Sequence, residues 1–157
     1  MTTAIPFFGF EPFVLGRNRE QLKAAAGAPE SISQEEFLEG AQQESWHYPS
    51  AGVELDFAKE DGWRLGSITI DSPEIDIRGT RFIGMEERQL LKAAAAAGIT
   101  DLAQTGDYEE NGRCYESDAF GLMVWALNGT VYNLTLFPRY DESGEHPVWP
   151  AEGAAGN

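Results

Sequence analysis

The strictest pattern in the chain lies at residues 53–57, where Val53, Leu55 and Phe57 alternate with Glu54 and Asp56. A period of two with one apolar and one acidic side specifies a half-buried antiparallel strand. A looser version returns at 121–126 as Gly-Leu-Met-Val-Trp-Ala. Strand register then puts Leu122, Val124 and Ala126 on the buried side, with Met123 and Trp125 opposite. Asp61-Gly62 and Asn128-Gly129 close the two runs as hairpin turns, leading into partner strands at 63–70 and 131–137. Apolar parity changes from odd at Trp63 and Leu65 to even at Ile68 and Ile70, which predicts a bulge around Gly66. Ile75 and Ile77 make a third strand, and Cys114-Tyr115 joins the strand set of the second run.

Helical signals precede each strand set. Residues 17–26 have good propensity and stop at Gly27 and Pro29, and residues 85–97 carry five consecutive alanines before Gly98. Ser33-Gln34-Glu35-Glu36 matches a capping box, which predicts another short helix to about Gln43 with Phe37, Leu38 and Ala41 on its inner side. The polar segment 99–111 holds at most a degenerate helical turn. Residues 5–15, apolar and aromatic but interrupted by Pro6 and Pro12, form an extended arm. Beyond Pro138 periodicity is lost, with Val148 and Trp149 pinning the tail back and 151–157 disordered.

The order of features recurs. Gly16 aligns with Gly84, Gln21-Leu22 with Gln89-Leu90, Gly27 with Gly98, Tyr48 with Tyr115, Gly52 with Gly121, Gly62 with Gly129, and Ile68-Thr69-Ile70 with Leu134-Thr135-Leu136, at offsets between 66 and 71 residues. The expected fold is therefore α+β, a tandem repeat of helices followed by antiparallel strands, with the sheets side by side and the helices on one face. The first unit spans 5–78, the second 79–140, and an irregular tail 141–157, all in one compact domain.

Leu15-Gly16, Glu20-Gln21-Leu22, Gly27-Ala28-Pro29 and Trp46-His47-Tyr48, with Ile83-Gly84-Met85, Gln89-Leu90 and Gly98 in the second unit, resemble the module of the tandem-repeat β-lactamase inhibitory protein. The small outer-membrane assembly lipoproteins share that helix-then-sheet module. The resemblance covers most of 13–137 and implies a protein-binding sheet. The inhibitor's paired cysteines and the lipoproteins' signal and lipidated cysteine are missing, so the targets of those families do not carry over.

Charge changes the picture most. The 26 acidic residues against 11 Lys and Arg give a formal net charge of −15, which repels nucleic acid and anionic lipid and attracts basic partners. Solubility alone is the plain alternative. Cys114 is the single cysteine, so an intrachain disulfide is excluded and a reducing, cytoplasmic setting fits; a secreted form after signal cleavage is the alternative. No run of about 18 apolar residues is present for a membrane helix.

The open side of the sheet should carry Glu54 and Asp56 in one unit and Met123 and Trp125 in the other, floored by Ser67, Thr69, Asn133 and Thr135. Glu54, Asp56, Thr69, Met123, Trp125, Asn133 and Thr135 are the candidate protein-binding residues. The alternative buries Trp125 beneath the tail near Trp149. Trp46, His47 and Tyr48 are expected to pack rather than to edge the interface. With two histidines, no metal-ligand spacing and no phosphate loop, no metal, cofactor or catalytic residue is assigned. Asp107, Glu109, Glu110 and Glu116 make a solvated acidic loop, with weak Ca²⁺ binding as the alternative. Cys114 is a small buried hydrophobe. The expected function is a protein-binding inhibitor, of the bacterial immunity type, monomeric or a weak dimer, that occludes a basic toxin or enzyme and is not itself an enzyme. A small-ligand or catalytic domain and an assembly scaffold are the alternatives.

Overall fold

In the computed structural model, which describes residues 2–108 and 110–150, both alternating runs are the third strands of four-stranded meanders. The first meander comprises β1 (Ser31–Glu36), β2 (Gln42–Tyr48), β3 (Val53–Ala58) and β4 (Leu65–Ile70). The second comprises β5 (Ala103–Tyr108), β6 (Gly112–Ser117), β7 (Leu122–Leu127) and β8 (Thr130–Leu136). β4 pairs antiparallel with β8, so the eight strands make one sheet in the order β1-β2-β3-β4-β8-β7-β6-β5.

This corrects the α+β tandem-repeat expectation. Among the described residues strands take 47% and helices 18%, so the protein is mostly β, a large antiparallel sheet with two α-helices among those residues. These are α1 (Arg19–Ala26) and α2 (Leu90–Ala96), the latter preceded by a 3-10 turn at Glu87–Gln89. The loss of helix is concentrated in two places. The capping-box segment is strand β1, paired with β2 from Ser31 opposite His47 to Glu36 opposite Gln42. A capping box satisfies two backbone donors, whereas pairing serves the whole strand, and pairing wins. The polar segment after Gly98 is strand β5, not a helical turn. Ile75–Ile77 also departs from expectation: it pairs in parallel with Thr2–Ala4, outside the main sheet.

The alternation does fix the sides of the sheet. Val53, Leu55 and Phe57 are buried, as are Leu122, Val124 and Ala126, while the residues between them are half-exposed. The bulge falls at Gly66, because Asp56 pairs with Ser67 and Phe57 with Leu65. At the second hairpin Asn128 and Gly129 have φ of 52° and 81°, the left-handed pair that matches strand twist.

The covered face packs against Leu22 of α1, Leu90 and Ala94 of α2, and Phe10, Phe13 and Leu15 of the N-terminal arm. Asn18 caps α1: its side chain accepts from the Gln21 amide while the Gln21 side chain accepts from the Asn18 amide. Two glutamates are buried on this side, each held by an arginine and an aromatic donor. Glu44 accepts from Trp46 Nε1 at 2.6 Å, Gln34 at 3.0 Å and Arg19 at 3.1 Å. Glu87 accepts from the Tyr115 hydroxyl at 2.7 Å and from Arg113 at 3.1 Å. Burial would raise the Glu44 pKa, but the Trp46 and Gln34 hydrogen bonds and the Arg19 charge outweigh it and hold the carboxyl below its ordinary value. Tyr115 is pushed up to about 12 by burial and by the Glu87 carboxylate that its hydroxyl serves.

Candidate functional site: the open face of the sheet

The register of seven pairings lines up one row across the open face: Ser31, His47, Glu54, Thr69, Thr135, Met123, Glu116 and Ala103. The flanking rows add Asp56 beside Ser67 on one side and Trp125 beside Asn133 on the other. The seven expected residues Glu54, Asp56, Thr69, Met123, Trp125, Asn133 and Thr135 thus share one surface, and each is half-exposed. Thr69 and Thr135 meet across the β4–β8 joint with hydroxyls 3.2 Å apart, and Trp125 Nε1 donates to Thr135 Oγ1 at 3.0 Å. A chain of hydrogen bonds therefore locks the indole to the middle of the sheet.

Trp125 packs within the sheet, away from Trp149. Its ring stands edge-on to Tyr108 of β5, with centroids 5.2 Å apart, and Tyr132 adds a third ring 6.5 Å from Tyr108. Tyr108 reaches across its neighbour strands to donate from its hydroxyl to the Ala126 carbonyl at 2.8 Å. Gly112 makes room for this: a Cβ there would come within 2.9 Å of the Tyr108 ring and 2.2 Å of its carbonyl oxygen. Trp149 instead covers Gly16. Tyr108 was missed by sequence reasoning because its segment has no alternation. Cys114, opposite Trp125, is buried, and burial pushes its thiol pKa up.

The other half of the face is acidic. Asp56 accepts from Ser45, Ser67 and Gln43, neutral donors that fix its carboxylate without cancelling its charge. Glu54 lies 3.0 Å from His47 Nδ1, whose Nε2 meets Ser33 Oγ at 3.3 Å. Burial first, and then Asp56 and Asp71, push the Glu54 pKa up against the lowering by His47. Trp46 and Tyr48 pack in the core as expected, whereas His47 alternates onto the open face. Phe37 and Leu38, expected on an inner helix side, are exposed at the tip of the β1–β2 hairpin.

At the bulged end of the face a cleft of about 510 Å³ opens between the meanders. Asp56, Asp61, Glu116 and Asp118 line it, together with Met123, Phe137 and Tyr140. Tyr140 arrives from the Arg139–Tyr140 strand, held by Pro147–Val148, so the tail walls this cleft. Burial and the neighbouring Asp118 push the Glu116 pKa up, and burial with Glu60 does the same to Asp61. The acidic loop expected at 107–116 is divided: Asp107 accepts from Gln104 on β5, Glu116 faces the cleft, and Glu109 lies outside the described residues, as does the expectation for 151–157. Among the described residues no group of three or more His, Cys, Asp or Glu converges to hold a metal ion, and no helix is long and apolar enough to cross a membrane.

No family model matches the chain, and no curated protein or solved structure matches it.

Proposed function

We propose that the chain is a protein-binding inhibitor of the immunity type, which holds a basic effector against the open face of its sheet and does no chemistry on it. The observation that carries this reading is the row of half-exposed residues from His47 to Glu116, acidic and small-polar toward β3 and apolar toward β7. Eight strands about 4.8 Å apart and about six residues long span roughly 34 by 20 Å, or roughly 700 Å² before side-chain relief. That is close to the share of about 800 Å² that each partner contributes to a standard interface. Glu54 and Asp56 sit on strand backbone and cost little ordering on contact, and the net charge of −15 steers a basic partner toward them. A reducing cytoplasm suits the lone thiol of Cys114.

The test is affinity capture from source lysate with wild type beside an E54K/D56K variant, at low and moderate salt, followed by binding of the purified captured protein. A basic protein retained by wild type, released by salt and lost with the double variant is the expected result. Capture that ignores both the variant and the salt overturns the reading.

A further inference from the structure

The cleft at the bulged end of the face has the chemistry of a socket for one particular side chain. Four carboxylates line it, no Lys, Arg or His is among the described residues that do, and no ion pair reaches those four. The nearest arginine in sequence, Arg139, stacks its guanidinium on Phe7 with 4.0 Å to the ring centroid. Among the described residues, therefore, no cation compensates the charge in the cleft. Its walls are not purely polar: Met123, Phe137 and the Tyr140 ring offer apolar surface beside the carboxylates. An alkyl stem ending in a planar cation satisfies both demands, since the stem covers apolar wall while the fork meets a carboxylate with two parallel hydrogen bonds and stacks on an aromatic ring. An ammonium meets the charge but neither the bidentate geometry nor the stacking. The cleft also adjoins the proposed interface through Met123 and Thr135, which belong to the row of the open face and line the cleft as well.

We infer that this cleft receives an arginine side chain of the basic partner, its guanidinium on the carboxylates that line the cleft and its stem on the apolar wall of Met123 and Tyr140. The inference rests on the protein-binding reading for the source of the arginine, but the socket itself is testable without any partner. Cation binding also favours the charged forms of Glu116 and Asp61, whose pKa values are raised in the free protein, so affinity should rise with pH through the carboxylate range.

The experiment titrates n-butylguanidinium chloride into the full chain labelled with ¹³C at its methionine methyls. The chain has three methionines, so Met123 is watched with Met85 as an internal reference. Saturable movement of Met123 alone, weakened about tenfold in D61N/E116Q and weaker for n-butylammonium, is the expected result. Parallel movement of Met85 and Met123, equal response in the double variant, or a stronger response to the ammonium overturns the inference. An unmoved Met85 signal in the variant certifies its fold. Should butylguanidinium fail while the capture experiment succeeds, the socket falls and the interface stands; binding of the probe with nothing captured keeps the socket and removes the inhibitor.

Discussion

Replacing Trp125 with alanine tests how the open face is built. The side chain is half-buried, its ring packs on Tyr108 at 5.2 Å and its Nε1 donates to Thr135 at 3.0 Å. A fully enclosed tryptophan buries about 200 Å². At least about two thirds of that, at about 25 cal/mol/Å², is more than about 3 kcal/mol, and about 3 remains after allowance for residual burial in the unfolded chain. The ring pair and the hydrogen bond add about 1 kcal/mol once water rehydrates the Thr135 hydroxyl. The total, about 4 kcal/mol, corresponds to a fall of roughly 8–16 °C in Tm for a chain of this size. Urea unfolding followed by circular dichroism reads it directly. Trp125→Phe keeps most of the packing and loses only the N–H, so it should cost about 1 kcal/mol. A cost below about 1 kcal/mol for the alanine variant would mean the indole stands free in solvent; one above about 5 kcal/mol would make it a core residue. Either result refutes the half-buried anchor on which the proposed interface depends.

Other consequences are open to the same measurement. Glu44→Gln should destabilise at neutral pH by about 1–3 kcal/mol, since a charged acceptor of three hydrogen bonds is lost. Because the folded pKa of Glu44 is lowered, that stability is present above its ordinary pKa and disappears as pH falls through the folded one, so the two proteins should converge in acid; a constant gap down to about pH 2 would contradict it. Glu116→Gln has the opposite sign. Its folded pKa is raised, so the wild-type carboxylate is penalised above that pKa, and the variant should be the more stable at pH 7 with the advantage gone by about pH 4. Leu38→Glu should leave stability within about 0.5 kcal/mol, because Leu38 is 92% exposed at a hairpin tip; a large loss would restore the buried helix that the capping box predicts.

What could be foreseen tracks which residues are buried on one side of the sheet only. β3 and β7 face the core on alternate residues, so their register, the Gly66 bulge and the grouping of Glu54, Asp56, Met123 and Trp125 were legible in the period of two. β1 and β5 are the outermost strands, and every β1 residue is exposed. A strand wet on both sides has no reason to alternate, so Ser-Ile-Ser-Gln-Glu-Glu carries only its local capping signal, and Ala-Gln-Thr-Gly-Asp-Tyr carries none. Tyr108 was hidden for that reason. The cleft was hidden for another: Asp56 with Asp61, Glu116 with Asp118, and Tyr140 come from three distant stretches of the chain and are brought together only by the β4–β8 pairing and the returning tail. The first helix was overextended at its start and the second at both ends, since propensity marks where a helix is permitted while docking of Leu22, Leu90 and Ala94 decides where it stays.

The β4–β8 pairing also sets an order of events during folding. It is three residues long, Ile68–Ile70 against Leu134–Leu136, while the neighbouring hairpins pair about twice that length. It also joins Thr69 to Thr135, 66 positions apart in sequence. Each meander closes through short loops, but this short junction must first meet the entropy of a long one. The halves should therefore take shape before they join, with the amides of Ile68 and Ile70, which face β8, gaining protection from hydrogen exchange after those of β2 and β3. The Thr69–Thr135 contact in the middle of the open face would then be the last part of that face to assemble, and an effector bound as proposed would bridge the junction and hold the two halves together.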